Sequence, residues 1–306
     1  MNEPHTHHPQ RHHRARWSLP LAEHPRLDLQ TDIARVHVVP TAPGEAAFLE
    51  VTPDHAHAAP PVEVEGSRGT TRVRIAGTWA GDPSWWSGPW WEKSFWKKGF
   101  RVNVVAHLPP NVAGKIQSSA AKVTVAGLAG CDLAIGTDAG SLQIEDCSGV
   151  LRLATDAGRI DARRIAGSLD IATSAGAVTA DVLSLAPGTH RIRTNVGAVR
   201  LELARGMPVR VVARTTMGAT RIDFPTREDA PAVLDVEADL GAIRVVESSR
   251  TWDGAAVVAG GPYRTPTAAP ARERHDEEIE RILERVADGS LTPEAARDLL
   301  RALGVA

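Results

Sequence analysis

Residues 137–142 read Thr-Asp-Ala-Gly-Ser-Leu, 155–160 Thr-Asp-Ala-Gly-Arg-Ile, 173–178 Thr-Ser-Ala-Gly-Ala-Val and 194–199 Thr-Asn-Val-Gly-Ala-Val. One phrase recurs: a Thr, two residues, a Gly, any residue, then an aliphatic. Weaker copies surround Gly218 and Gly241, and Ala120-Ala121-Lys122-Val123 repeats it with Ala121 in the glycine place. The glycines Gly140, Gly158, Gly176, Gly197, Gly218 and Gly241 are spaced by 18, 18, 21, 21 and 23 residues. A second set, Gly130, Gly149, Gly167 and Gly188, falls about midway. Self-similarity at such a period is the signature of a repeat architecture.

Between glycines the residues alternate. Leu142 and Ile144, Leu151 and Leu153, Leu169 and Ile171, Val199 and Leu201 are apolar at i and i+2, while Gln143, Arg152, Asp170 and Arg200 between them are polar. Period two with one apolar face means half-buried strands. The glycines supply turns where φ is positive or where backbones pass closely. Two strands and two turns per 18–23 residues predict one coil of a β-solenoid, which buries its apolar faces by curling inward and stacking on its neighbours. At ~4.8 Å per coil, six or seven coils give a rod about 30 Å long. A β-sandwich shows similar alternation but needs no near-identical phrase at a fixed period. Another copy, Leu27 to Val36 with Ala34 in the glycine place, opens the domain. Strands at 48–51, 71–75 and 101–108 complete the first rungs and their cap.

The chain has 306 residues, 35 Lys+Arg against 37 Asp+Glu, a net charge of −2 and 42% hydrophobic residues. That length suggests about two domains. Near-neutrality excludes a dedicated nucleic-acid binder, whose domain carries a basic excess. Two cysteines exclude a disulfide scaffold and a Cys-rich zinc module. Cys131 and Cys147, out of step with the coil, read as buried free thiols. No apolar stretch approaches the ~20 residues that span a bilayer, and residues 1–16 lack the apolar core of a secretory signal. The expectation is a cytoplasmic protein, at most peripheral to a membrane.

Composition divides the chain further. Residues 1–16 hold His5, His7, His8, His12 and His13 and read as a disordered tail. Residues 17–250 carry the repeat, 251–272 form an Ala/Gly/Pro-rich linker, and 273–306 read as a helical hairpin. Ile279, Ile282, Leu283 and Val286 give the stripe of an amphipathic helix. Gly289 closes it, Thr292 is the next N-cap, and Pro293 sits at N1. Leu299, Leu300 and Leu303 form the second helix's apolar side. So short a hairpin cannot bury enough surface to stand alone, so it docks on the solenoid, a second copy or another protein.

Two features carry functional expectations. Residues 79–100 concentrate Trp79, Trp85, Trp86, Trp90, Trp91 and Trp96, interleaved with Phe95, Phe100, Lys93, Lys97 and Lys98. Such a set serves an interfacial membrane contact, a glycan or protein hot spot, or simply a lid on the open end of a solenoid. Asp138 and Asp156 hold equivalent places in adjacent coils. They could hold calcium or act as an acid/base pair, although Asp is also an ordinary turn residue and the ladder breaks at Ser174 and Asn195. His37, His107 and His190 read as ordinary strand residues. No P-loop, dinucleotide fingerprint, nucleophile elbow or zincin motif occurs, and no cofactor or metal is expected.

The run Val102-Asn103-Val104-Val105-Ala106-His107-Leu108-Pro109-Pro110, then Lys115 to Val123, then Leu128-Ala129-Gly130, resembles the bacterial putative-adhesin family, a domain of unknown function built from β-strand repeats. Residues 279–296 resemble the short helical hairpin often found with that domain. The resemblance spans about residues 27–247; Ala34, Ala121 and the Trp-rich insertion depart from it. It implies a setting linked to the bacterial envelope and its stress responses. The expectation is therefore a non-catalytic binding scaffold whose helical tail serves self-association or a protein partner. A β-helix carbohydrate-active enzyme using Asp138 and Asp156, or an exported adhesin, are the competing expectations.

Overall fold

The alternation becomes a ladder of strands in the computed structural model, which describes residues 15–21, 25–53, 61–67, 69–75 and 102–252. The chain divides into two units, Met1–Gly261 and Pro262–Ala306, and every described residue lies in the first. The strands are β1 (Ala15–Ser18), β2 (Arg26–Pro40), β3 (Phe48–Pro53), β4 (Val62–Ser67), β5 (Thr70–Ile75), β6 (Val102–Leu108), β7 (Ala113–Ala126), β8 (Cys131–Glu145) and β9 (Ser148–Ala157). They continue as β10 (Ile160–Ala175), β11 (Val178–Leu185), β12 (Gly188–Val196), β13 (Val199–Arg205), β14 (Val209–Met217), β15 (Thr220–Asp223), β16 (Ala232–Leu240) and β17 (Ile243–Thr251). The described part is thus mainly β. The helical hairpin expected at 273–306 lies outside the described residues.

Long strands serve two ladders. Residues 26–31 of β2 pair with β5 and residues 35–40 with β6; β7 and β8 pair with each other along both halves. Between the halves the chain turns a corner. Thr137 is buried, Asp138 and Ala139 both face out, and Leu142 is buried again, so the inward parity flips at this corner. The pairing within the stack is parallel and in register. On one ladder Leu133, Leu151 and Leu169 follow one another, as do Ile135, Leu153, Ile171 and Ile192. All are buried in one continuous core. Beside them runs a column of buried hydroxyls: Thr31, Ser118, Thr137, Thr155, Thr173 and Thr194.

Glycine makes that corner possible. At Gly158 φ is +151°, and an added Cβ would lie 1.6 Å from the Gly140 carbonyl oxygen. The same approach recurs up the stack from Gly140 to Gly241. Ala34 and Ala121, which replace glycine in the earliest copies, keep negative φ, so the corner there is of a different, side-chain-tolerant kind.

The rungs do not stack in chain order at the C-terminal end. The rung of β16 and β17 pairs with β12 and β13 on one side and with β14 and β15 on the other. A similar inversion places β2 between β7 and the rung of β5 and β6. At that end antiparallel strands close the stack: β4 on β5, β3 on β6, and β1 on β3. At the other end residues 224–231 fold back over β14, where Val211 N–H donates to Thr226 Oγ1 at 2.8 Å and Arg227 N–H to Val209 O at 3.1 Å. Phe224 is buried there. The sheet ends at Thr251, the first residue of the expected linker, and Trp252 Nε1 donates to Ser184 Oγ at 3.2 Å.

Outward-facing charges pair along the rungs, as in Arg152–Asp132 (2.6 Å) and Arg214–Asp235 (2.9 Å). Such exposed pairs contribute about 0–1 kcal/mol each. Arg164 is less ordinary. It and Asp146, on neighbouring rungs, both have positive φ (54° and 52°), and the guanidinium grips Asp146 through two hydrogen bonds and Glu145 through a third.

Candidate binding site

A groove of about 420 Å³ runs along the corner, crossing five rungs from β5 through β2, β7 and β8 to β9. Its walls follow from the repeat. One row of residues precedes the buried hydroxyl, or Ile75 in β5, in each rung: Arg74, Gln30, Gln117, Gly136 and Ala154, in spatial order. Another row follows it: Asp32, Ser119, Asp138 and Asp156. The hollow opens where the first row steps down from Gln117 to Gly136 and Ala154. Among the described lining residues Asp32, Asp138 and Asp156 supply carboxylates and Arg74 a guanidinium.

The structure therefore brings Asp138 and Asp156 together on adjacent rungs, as the repeat implied, and adds Asp32 and Ser119 to the same row. Neither Asp138 nor Asp156 has a hydrogen-bond or ion-pair partner among the described residues, whereas Asp132, Asp146, Asp161, Asp181, Asp223 and Asp235 are each held by an arginine. Among the described residues no three His, Cys, Asp or Glu side chains gather as metal ligands. Thr31 and Thr155 also line the groove, and their hydroxyl oxygens have no hydrogen-bond partner.

Gly136 and Asp32 were not singled out by the sequence. The signal for Gly136 was a glycine lying off the period, within a strand; for Asp32 it was its place in the earliest, degenerate copy of the phrase.

The corner glycines Gly140, Gly158, Gly176, Gly197, Gly218 and Gly241 stack as a column. The Trp-rich set (Trp79, Trp85, Trp86, Trp90, Trp91, Phe95, Trp96, Lys97 and Lys98) lies outside the described residues. So do Ile279, Ile282, Leu283, Val286, Leu299, Leu300 and Leu303. Ile75, after which the Trp-rich insertion begins, is itself on the groove wall.

The histidines and cysteines have structural places. His190 is buried at the position of Leu234 on the neighbouring rung. Its Nδ1 accepts from Leu169 N–H at 3.1 Å and its Nε2 donates to Ala186 O at 2.8 Å, so the neutral tautomer is fixed. Burial pushes its pKa down. His107 stacks on Phe48 at 4.1 Å, with the Arg16 guanidinium over the other side of the Phe48 ring. Cys131 and Cys147 are free and buried; burial pushes their thiols up to about 12 and about 11. No helix among the described residues is long and apolar enough to cross a membrane.

No family model matches the chain, and no curated protein matches it. Among solved structures, it is similar to a protein described as a putative cell adhesion protein from Clostridium sporogenes ATCC 15579, at 12% identity and a TM-score of 0.36, covering 77% of this chain and 99% of that one. It is also similar to a protein described as a putative adhesin from Parabacteroides distasonis ATCC 8503, at 12% identity and a TM-score of 0.38, covering 76% of this chain and 96% of that one.

Proposed function

We propose that this chain is a non-catalytic β-solenoid scaffold that binds its ligand along the corner groove and works at the bacterial envelope in stress sensing or protection. The observation that carries the binding role is the corner itself. In-register stacking repeats one outward row of polar side chains rung after rung, and the row encloses a groove of about 420 Å³, within the size range of ligand sites. The envelope setting rests on the family resemblance. Residues 273–306 supply self-association or a docking face for a protein partner, and the Trp-rich insertion supplies peripheral membrane or partner contact.

The test incubates purified full-length protein with isolated bacterial membranes and cell-wall sacculi, then follows pelleting and the release of soluble sugar together. Pelleting without sugar release is expected. Protein left in the supernatant would remove the envelope role. Sugar release abolished by Asp138→Asn or Asp156→Asn would replace the scaffold with a β-helix carbohydrate-active enzyme, the second reading that the pairing of these two carboxylates favours.

A further inference from the structure

Glycine inside a strand weakens it by about 0.5–1 kcal/mol relative to alanine. Where it occurs, it marks a bulge, a tight bend, or a place where a ligand or another backbone comes close. Gly136 sits in β8 in regular pairing with Gln117 on one side and Ala154 on the other. Its φ is not positive, and an added Cβ would have nothing within 4 Å. Neither bend nor neighbouring backbone accounts for it. The corner glycines are the contrast, since each of them has a carbonyl in the way. What the missing side chain at 136 leaves open is the floor of the corner groove.

We infer that the groove binds an uncharged, hydroxyl-rich glycan strand laid along the stack; this rests on the binding-scaffold reading above. The rows offer acceptors (Asp138, Asp156), mixed donor–acceptor amides (Gln30, Gln117) and a donor at one end (Arg74), repeated at the ~4.8 Å rung spacing. A chain of sugars presents hydroxyls of both kinds at comparable intervals along its length. The carboxylates of Asp138 and Asp156, without a partner among the described residues, repel a polyanionic chain. Among the described residues no ligand set converges there for a metal cation.

The experiment titrates full-length protein with neutral β-linked hexasaccharides (cello- and chitohexaose), with polygalacturonate, and with oligolysine. A neutral hexasaccharide is expected to bind, polygalacturonate is not, and oligolysine does not displace the bound sugar. Gly136→Gln, which extends the Gln30 and Gln117 row into the hollow without a steric conflict at its Cβ, weakens binding by about tenfold or more with an unfolding midpoint no lower than that of the unsubstituted protein. Failure of both neutral sugars to bind, displacement by oligolysine, or full affinity in Gly136→Gln would overturn the inference. If Gly136→Gln still pellets with envelopes but no neutral sugar binds, the groove assignment falls while the scaffold reading stands.

Discussion

Gly241 stacks on Gly197, and Gly218 stacks on Gly241: their added Cβ atoms would lie 1.8 and 1.9 Å from the carbonyl oxygens below. The last rung of the stack is therefore not the last in the chain. Side-chain polarity explains the exchange. In the rung of β16 and β17, Leu234, Val236, Ala238, Ile243 and Val245 are all buried, so it is best placed with a partner on each side. Residues Thr220, Arg221, Ile222 and Asp223 of β15 are all exposed, and a strand so polar is better tolerated at an end.

Cross-linking checks this order directly. Cysteines at Arg193 and Glu237, or at Glu237 and Arg214, occupy paired positions and should form disulfides under mild oxidation. A pair at Arg193 and Arg214 should not, because the β16 strand separates them and disulfides need Cα atoms within about 7 Å. Ready formation of the third cross-link would refute the exchanged order.

Two glycines should respond in opposite senses. Gly158→Ala forces a Cβ against the Gly140 carbonyl at positive φ and should destabilise by about 3 kcal/mol or more. Gly136→Ala meets nothing and should stabilise by about 0.5–1 kcal/mol. Urea unfolding midpoints of the two variants decide; equal stabilities would contradict the stacked corner.

His190 confers a pH dependence with a definite sign. Its folded-state pKa lies below the ordinary 6.5, so folding disfavours the proton. Its contribution is fully present above the unfolded value and is lost as pH falls below it. His190→Leu leaves the Leu169 N–H and Ala186 carbonyl unpaired, a cost of about 1–3 kcal/mol. That deficit should be largest in mildly alkaline buffer and should shrink on acidification. A deficit that grew with acid, read from thermal unfolding at several pH values, would contradict the buried neutral tautomer.

The thiols should be silent until the protein opens. With burial raising Cys131 to about 12 and Cys147 to about 11, almost no thiolate exists in neutral buffer. A colorimetric thiol reagent should register no fast-reacting thiol in the native protein and both cysteines in denaturant. Rapid reaction of either in native buffer would show that its part of the core is accessible.

Thr173 lies in the hydroxyl column beyond the groove, buried, and its Oγ1 has no partner. Thr173→Val removes a buried unsatisfied hydroxyl at nearly constant shape and should be neutral or stabilising by about 1 kcal/mol. A loss of stability would reveal a hydrogen bond not evident in the static structure.

The repeat and its strands were legible because alternation and the Thr-x-x-Gly phrase are local. Leu151 and Leu153 declare an inward face through their own neighbours, and Gly158 declares a turn that only glycine tolerates. The juxtaposition of Asp138 and Asp156 was legible for the same reason, since a constant period puts like positions on adjacent rungs. Tertiary structure decided what the period leaves open. Copies of nearly the same phrase are interchangeable partners by sequence, so whether Gly197 meets Gly218 or Gly241 depends on which rung gains more from burial on both sides. The groove is likewise a property of columns. Gln30, Gln117, Gly136 and Ala154 are scattered along the chain and become one surface only when parallel pairing at ~4.8 Å brings the rungs into register.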